Sequence, residues 1–148
     1  MNRADCYSEE MSAVTISPLR GIGQISITAH DISRAIRFYR DILGLNFLFE
    51  ASGMAFFECG GIRLMLSVPE SSEFNHPSSI LYFQVDDVEE THGVFSQRGV
   101  QFRTGPHCVA RLLDREIWMA FFPDSEGNML ALMTEKMQAP QPATDSAV

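Results

Sequence analysis

A short segment in the second half of the chain contains several residues that could do chemistry. A histidine and a cysteine, His107 and Cys108, lie next to each other in it, and it leads to the only tryptophan, Trp118. An imidazole can carry a proton near neutral pH, so His107 is the candidate catalytic residue. Adjacent residues on a strand point to opposite sides, so the pair is poorly placed to form a thiol–imidazole dyad. Two further ionisable residues of the segment are Arg111 and Asp114.

This segment is an insertion in one of two similar halves of the chain. Residues 24–31 and 80–87 match in polarity, and each stretch ends in aspartate. An amphipathic stretch and a glycine, Gly44 or Gly99, follow in each half. Each half then reaches a double phenylalanine, but the second half takes ten residues more to do so. We expect the extra residues, around 105–115, to form a loop of the kind that carries function.

Each half is predicted to fold as a strand, a helix and three further strands. Asp31 and Asp87 are typical helix N-cap residues. In the first helix the apolar residues share one face, and Arg34, Arg37 and Arg40 are expected to face water. Strand alternation places one set of side chains under the helices and the other set on a mixed face suited to a small ligand. The predicted outward-facing residues are Gln24, Ser26, Thr28, Arg63, Met65, Ser67, Ile80, Tyr82, Gln84, Met129, Ala131 and Met133.

Two motifs make the chain resemble a known superfamily. Residues 37–45 read Arg-Phe-Tyr-Arg-Asp-Ile-Leu-Gly-Leu, and residues 122–128 read Phe-Pro-Asp-Ser-Glu-Gly-Asn. Together with the first strand ending in His-Asp, they resemble the vicinal oxygen chelate superfamily, over residues 21–134. That superfamily includes glyoxalase I, bleomycin-resistance and fosfomycin-resistance proteins and extradiol dioxygenases. The resemblance implies an α+β fold in which two βαβββ modules form a cupped mixed sheet, and it implies a homodimer.

The domain boundaries follow from the repeat and from composition. A single domain is expected over residues 21–136, with module one at 21–68 and module two at 79–134. His76, in the linker between the modules, is expected to be solvated. The polar, aperiodic ends of the chain, residues 1–20 and 137–148, are expected to be disordered tails.

The resemblance also implies where a metal would bind. Enzymes of this superfamily take their ligands from two strand positions in each module, which correspond here to Gln24, Met65, Ile80 and Ala131. Of these side chains, Gln24 alone offers an oxygen to a hard or borderline cation. A catalytic metal site typically has three protein ligands. The sequence therefore predicts no metal site and no cofactor.

The leading functional hypothesis is binding of a small aromatic or amphipathic molecule in the cleft without a metal centre, similar to bleomycin-resistance proteins. Arg63 is a candidate for contact with a ligand carboxylate or phosphate, and the alternative is an ion pair with Glu58. The predicted ligand-binding residues are Gln24, Ser26, Arg63, Met65, Ile80, Tyr82, His107, Trp118 and Ala131.

Two enzymatic hypotheses stay open beside it. One is a metal-dependent lyase, dioxygenase or isomerase of the glyoxalase type whose ligands have moved to Gln24, His107 and either Glu116 or Asp114. The other is a metal-free acid–base enzyme that uses His107 as proton carrier. The sequence does not decide whether any reaction is catalysed.

Composition excludes several classes of partner. The 148 residues carry 11 Lys and Arg against 19 Asp and Glu, for a net charge of −8. Nucleic acid and anionic membrane surfaces are therefore not expected to bind, because both need clustered cations. No apolar run approaches the roughly 20 residues of a membrane-spanning helix. The three cysteines, without Cys-x-x-Cys spacing, favour a reducing cytoplasm.

Overall fold

The first half of the chain builds a four-stranded sheet with one helical segment packed on it. The computed structural model describes residues 17–138, so most of each predicted tail lies outside the described residues. The elements of the first module are β1 (Gln24–Thr28), α1 (Ile32–Arg37, continued by a π-helical turn at Phe38–Ile42), β2 (Asn46–Ala51), β3 (Met54–Cys59) and β4 (Ile62–Ser67). A single 3-10 turn, Ser72–Phe74, interrupts the connection to the second module.

The second half repeats this order with longer strands. Its elements are β5 (Leu81–Gln84), α2 (Val88–Gln97), β6 (Thr104–Arg111), β7 (Arg115–Pro123) and β8 (Met129–Met137). The insertion at residues 105–115 was predicted to be a loop, but most of its residues lie in the strands of the β6–β7 hairpin. β8 also runs to Met137, one residue into the predicted tail. The main-chain N–H of Gln138 then donates to the Asp114 carbonyl at 2.8 Å.

The two sheets share one topology, which confirms the α+β fold of paired βαβββ modules. The strand orders are β1-β4-β3-β2 and β5-β8-β7-β6, and the β1–β4 and β5–β8 pairs are parallel. Each sheet has an inner face that packs on the helices and an outer face that is turned away from them. Strand alternation predicted these faces correctly in β1 and β4, where Ile27, Leu64 and Leu66 are buried while Gln24 and Arg63 are exposed.

Predicted capping residues start both helices. The Asp31 carboxylate accepts a hydrogen bond from the Arg34 N–H at 3.1 Å, and the Asp87 carboxylate accepts from the N–H groups of Glu89 and Glu90. After the π-helical turn the chain reverses at Gly44, whose φ of 79° lies in the left-handed region. The local signals of the sequence therefore set the helix boundaries.

The turn before β8 joins the second module to the first. The Asp124 carboxylate accepts hydrogen bonds from the hydroxyl of the fully buried Tyr39 at 2.7 Å and from the amide of Asn128 at 2.8 Å. Arg34 is exposed, as predicted, and its guanidinium also donates to Glu126 at 2.7 Å, a contact that the sequence did not predict. The amide of Asn128 also donates to the Thr28 carbonyl at 2.8 Å. These contacts explain why the turn carries the sequence Asp-Ser-Glu-Gly-Asn.

None of the helices between residues 17 and 138 has the length and hydropathy of a membrane-spanning segment.

Candidate functional site

The outer face of the first sheet carries a cavity of about 320 Å³. Its floor comes from β1 and β4, where Ser26 lies beside Met65 and Thr28 lies beside Ser67. Met54 of β3 extends this floor toward the hairpin between β2 and β3. Two of the predicted ligand-binding residues, Ser26 and Met65, are therefore neighbours in one cavity.

The connection between the modules forms the roof of this cavity. Val68, Phe74 and His76 line it from the roof side. The Thr28 hydroxyl donates to the His76 carbonyl at 3.3 Å, and the Thr28 main-chain N–H donates to the Ser78 hydroxyl at 3.0 Å. These two bonds hold the connection across the end of β1. His76 is exposed, as predicted for a linker residue, and it also lines this cavity.

A second, more open cavity of about 490 Å³ lies farther along the same outer face and includes Gln24, Glu58 and Arg63 in its lining. Arg63 and Glu58 are cross-strand neighbours, but the Glu58 carboxylate accepts from the Gly61 N–H at 3.2 Å. None of the ion pairs within residues 17–138 involves Arg63. Its guanidinium carbon lies 6.0 Å from the centroid of the Phe56 ring. The predicted alternative, an Arg63–Glu58 ion pair, is therefore not formed.

The outer face of the second sheet is mainly apolar where the predicted residues lie. Tyr82 and Phe121 pack edge to face with ring centroids 6.0 Å apart, and strand register places both beside Ala131. Ala131 has no exposed surface, so the prediction that it contacts a ligand is not supported by its position. Ile80 is 42% exposed and Tyr82 is 46% exposed, as expected for outward-facing residues.

His107 lies on β6, on this outer face of the second sheet. It pairs with Met119, whereas Cys108 pairs with Trp118 on the inner face, so the predicted separation of imidazole and thiol is confirmed. The imidazole is exposed, and its Nδ1 atom lies 2.8 Å from the Gly105 carbonyl oxygen. His107 therefore lies in a different sheet from the cavity lined by Ser26 and Met65.

Trp118 lies on the inner face of the second sheet, opposite the outer face that carries Tyr82 and His107. Its indole Nε1–H donates to Glu116 at 3.0 Å, and the Lys136 Nζ atom lies 3.9 Å from the centroid of its ring. Glu116 also accepts from Arg111 at 2.6 Å. The hydrogen bond from Trp118 and the charge of Arg111 lower the pKa of Glu116, although burial opposes them. Strand register places this network on the face opposite Tyr82.

The displaced metal-ligand set considered from the sequence is not assembled. Gln24 lies in the first sheet, His107 on the outer face of the second sheet and Glu116 on its inner face. Asp114 lies in the β6–β7 turn, where it pairs with Arg115 at 3.1 Å. Within the part of the chain that the structure describes, no three His, Cys, Asp or Glu residues are grouped so that they could hold a metal ion.

The sequence interpretation missed an aromatic pair on the outer face of the first sheet. Phe49 stacks on Phe56 with ring centroids 4.5 Å apart. A register shift between Phe47 and Phe49 turns Phe49 outward, although simple alternation would place both rings on the same face. No residue type in β2 indicates this bulge. The Phe49–Phe56 pair therefore could not be predicted from the alternation of apolar and polar residues.

The fold, the two sheet faces and the sequence together define a superfamily. Residues 21–132 match the sequence model described as the Glyoxalase/Bleomycin resistance protein/Dioxygenase superfamily. The chain belongs to this superfamily, which confirms the resemblance to vicinal oxygen chelate proteins.

The chain is similar to several proteins of known sequence and to several solved structures. Metallothiol transferase FosB of Staphylococcus haemolyticus is 29% identical over 125 residues, which cover 81% of this chain and 87% of FosB. The uncharacterized protein YraH of Bacillus subtilis is 28% identical over 126 residues, covering 74% of this chain and 94% of YraH. The crystal structure of lactoylglutathione lyase from Agrobacterium tumefaciens superposes with a TM-score of 0.65 at 22% identity. That superposition covers 80% of this chain and 96% of the lyase. At that identity the likeness shows the fold alone.

These relatives contradict the prediction that no cofactor is involved. The FosB proteins are named metallothiol transferases, and that name specifies a metal in those proteins. The four strand positions implied by the resemblance do not fit a metal in this chain. Gln24 has an amide oxygen, and its Nε2 atom lies 3.7 Å from the thioether sulfur of Met65, which is a poor ligand for a hard cation. Ile80 and Ala131 have no donor atom.

Proposed function

We propose that this protein binds a small organic molecule on the outer face of its first sheet, beneath the connection that links the two modules. The observation that carries the proposal is the cavity of about 320 Å³ lined by Ser26, Met65 and Ser67. Binding sites for small organic ligands commonly have volumes of roughly 300–1,000 Å³. Ligand binding of the bleomycin-resistance kind is the activity that this arrangement supports best.

The lining of the cavity combines apolar contact with hydrogen-bonding groups. Met54 and Met65 supply flexible thioether surfaces that adapt to ligand shape. The hydroxyls of Ser26, Thr28 and Ser67 lie along the strands below the ligand space. Apolar burial would supply most of the affinity, and the hydroxyls would orient the ligand.

Blocking the cavity tests this proposal. A thermal-shift screen of small aromatic and hydroxylated compounds identifies binders, because a ligand of the folded state raises the melting temperature. Ser26→Phe places a ring in the cavity, and we expect it to weaken binding of each such compound at least about fivefold, as overpacking costs roughly 1–3 kcal/mol. The matched control is Ser96→Phe, the same substitution at an exposed position of α2. The control is expected to bind these compounds as wild type does, and unchanged binding to Ser26→Phe would contradict the proposal.

The FosB similarity supports a second candidate, a metal-dependent transferase. Under that alternative the protein, purified without chelator, retains about one equivalent of a divalent metal, and Gln24→Ala loses it. Elemental analysis of the wild-type protein and of Gln24→Ala measures the metal content of each and tests this alternative. Binding in the Ser26 cavity without dependence on Gln24 would favour the first candidate.

We also propose a homodimer in the cytoplasm. The half-exposed apolar side chains of Ile80 and Tyr82 on the outer face of the second sheet support association with a second copy. The cysteine usage of the sequence supports a reducing compartment. Light scattering coupled to gel filtration tests the dimer, and a monomer throughout the micromolar range would contradict it.

A further inference from the structure

The outer face of the first sheet is organised in three rows that run across its strands. Strand register places Gln24, Arg63 and Glu58 side by side in one row. Successive outward-facing residues along a strand are two positions apart, so neighbouring rows are about 6.7 Å apart. The first and third rows are therefore separated by about 13 Å.

The first row supplies a cation that is free to meet a ligand. Arg63 is exposed and takes part in none of the ion pairs found within residues 17–138. Glu58 beside it is engaged with the Gly61 N–H. The rigid donor fork of an arginine suits bidentate contact with a carboxylate or phosphate.

The middle row is apolar and aromatic. It consists of Met65, Phe56 and the stacked ring of Phe49, with Ser26 at its β1 end. Phe49 is 46% exposed, so one side of the stacked pair is open to a flat molecule. Offset or edge contacts with such rings contribute about 0.5–1.5 kcal/mol beyond burial.

The third row carries uncharged hydrogen-bonding groups. Thr28 and Ser67 pair across β1 and β4, and both line the roofed cavity. Glu70 and His76 are the ionisable residues among its lining. None of the lysines and arginines between residues 17 and 138 lines this cavity, so it favours an uncharged hydroxyl or amide end of a ligand over an anionic end.

From these three rows we infer the class of ligand, an inference that rests on the proposed binding function. The ligand is an elongated molecule with a flat apolar centre, an acidic group at one end that meets Arg63, and an uncharged polar end that enters the roofed cavity. The distance between the acidic end and the polar end of the ligand suits the separation of the first and third rows, whose main chains are about 13 Å apart.

A series of three rigid probes tests this ligand class. The first is biphenyl with a para hydroxyl at one end and a para carboxylate at the other. The second replaces the carboxylate with an isosteric carboxamide, and the third lacks the hydroxyl. We expect calorimetry to show that the carboxylate binds about fivefold more tightly than the carboxamide, as is typical of a partly solvated charge pair.

Variants assign that preference to Arg63. Arg63→Gln is expected to make carboxylate and carboxamide bind equally, and Glu58→Gln to increase the preference for the carboxylate. Arg37→Gln, an exposed arginine on α1, is the matched control and keeps the wild-type preference. Removing the hydroxyl is expected to weaken binding in every one of these proteins.

The outcomes separate this inference from the proposed function. If the carboxamide binds wild-type protein as tightly as the carboxylate and Ser26→Phe still blocks both, the ligand class is wrong and the binding site stands. A preference that survives in Arg63→Gln also overturns the ligand class. If none of the probes competes with compounds from the thermal-shift screen, the ligand class is overturned. If those compounds also bind Ser26→Phe unchanged, the proposed function fails with it.

Discussion

Glu126 joins the second module to the start of α1, and its charge contributes to stability in a way that depends on pH. Its carboxylate has no exposed surface and accepts hydrogen bonds from the main-chain N–H groups of His30 and Asp31 at 2.7 and 2.8 Å. It also accepts from Arg34 at 2.7 Å and from the Ser125 hydroxyl at 2.8 Å. Burial raises the pKa of Glu126, but these hydrogen bonds outweigh burial and lower the pKa to about 2.

The perturbation is Glu126→Gln, which keeps the shape of the side chain and removes its charge. A pKa lowered from 4.5 to about 2 corresponds to about 3 kcal/mol of stability from the ionised carboxylate. Because the Arg34 side chain is 48% exposed, solvent screening reduces this, and we expect about 2 kcal/mol. The contribution is complete above pH 4.5, where the unfolded carboxyl is also ionised, and it is lost as the pH falls toward 2.

Urea denaturation at pH 7, pH 4 and pH 3 measures this contribution. Glu126→Gln is expected to be about 2 kcal/mol less stable than wild type at pH 7, and the difference is expected to narrow as the pH falls. Asp41→Asn is the matched control, because Asp41 pairs with Arg40 in the open and its loss is expected to change little. A difference between Glu126→Gln and wild type that is the same at all three pH values would refute this reasoning.

Two further predictions concern residues of the core and of the inner sheet face. Tyr39→Phe removes the hydroxyl that donates to Asp124 inside the core, and we expect a loss of about 1–2 kcal/mol in the urea-derived free energy of unfolding; an unchanged value would contradict the role of this bond. Trp118→Phe removes the indole N–H that donates to Glu116, and we expect lower stability but unchanged affinity for compounds that bind the Ser26 cavity. Weaker ligand binding in Trp118→Phe, measured by calorimetry on folded protein, would contradict this prediction and would mean that Trp118 contributes to the binding site.

The repeat, the caps and most of the sheet faces could be predicted because they depend on local chemistry. Aspartate at an N-cap and alternation in β1 and β4 act within a few residues, and the structure follows them. Long-range pairing could not be predicted in the same way. The bond of Arg34 to Glu126 spans 92 residues, and a surface arginine on a helix carries no sign of such a partner.

The candidate site was predicted in part. Gln24, Ser26, Arg63 and Met65 lie on one outer face, as alternation indicates. Trp118 was grouped with the ligand-binding residues, but it lies on the inner face of the second sheet. Its place in the sequence does not show which face of the β6–β7 hairpin it occupies. The roof could not be predicted, because a polar linker reads as solvated until its contacts with Thr28 are known.

Residue-resolved NMR of the wild-type protein, titrated with a compound selected in the thermal-shift screen, locates the bound molecule directly. If the ligand binds in the cavity of the first sheet, the amide signals of Ser26, Met65 and Ser67 move together and saturate at one equivalent. Saturating shifts confined to Tyr82, Met119 and Met133, on the outer face of the other sheet, would contradict it.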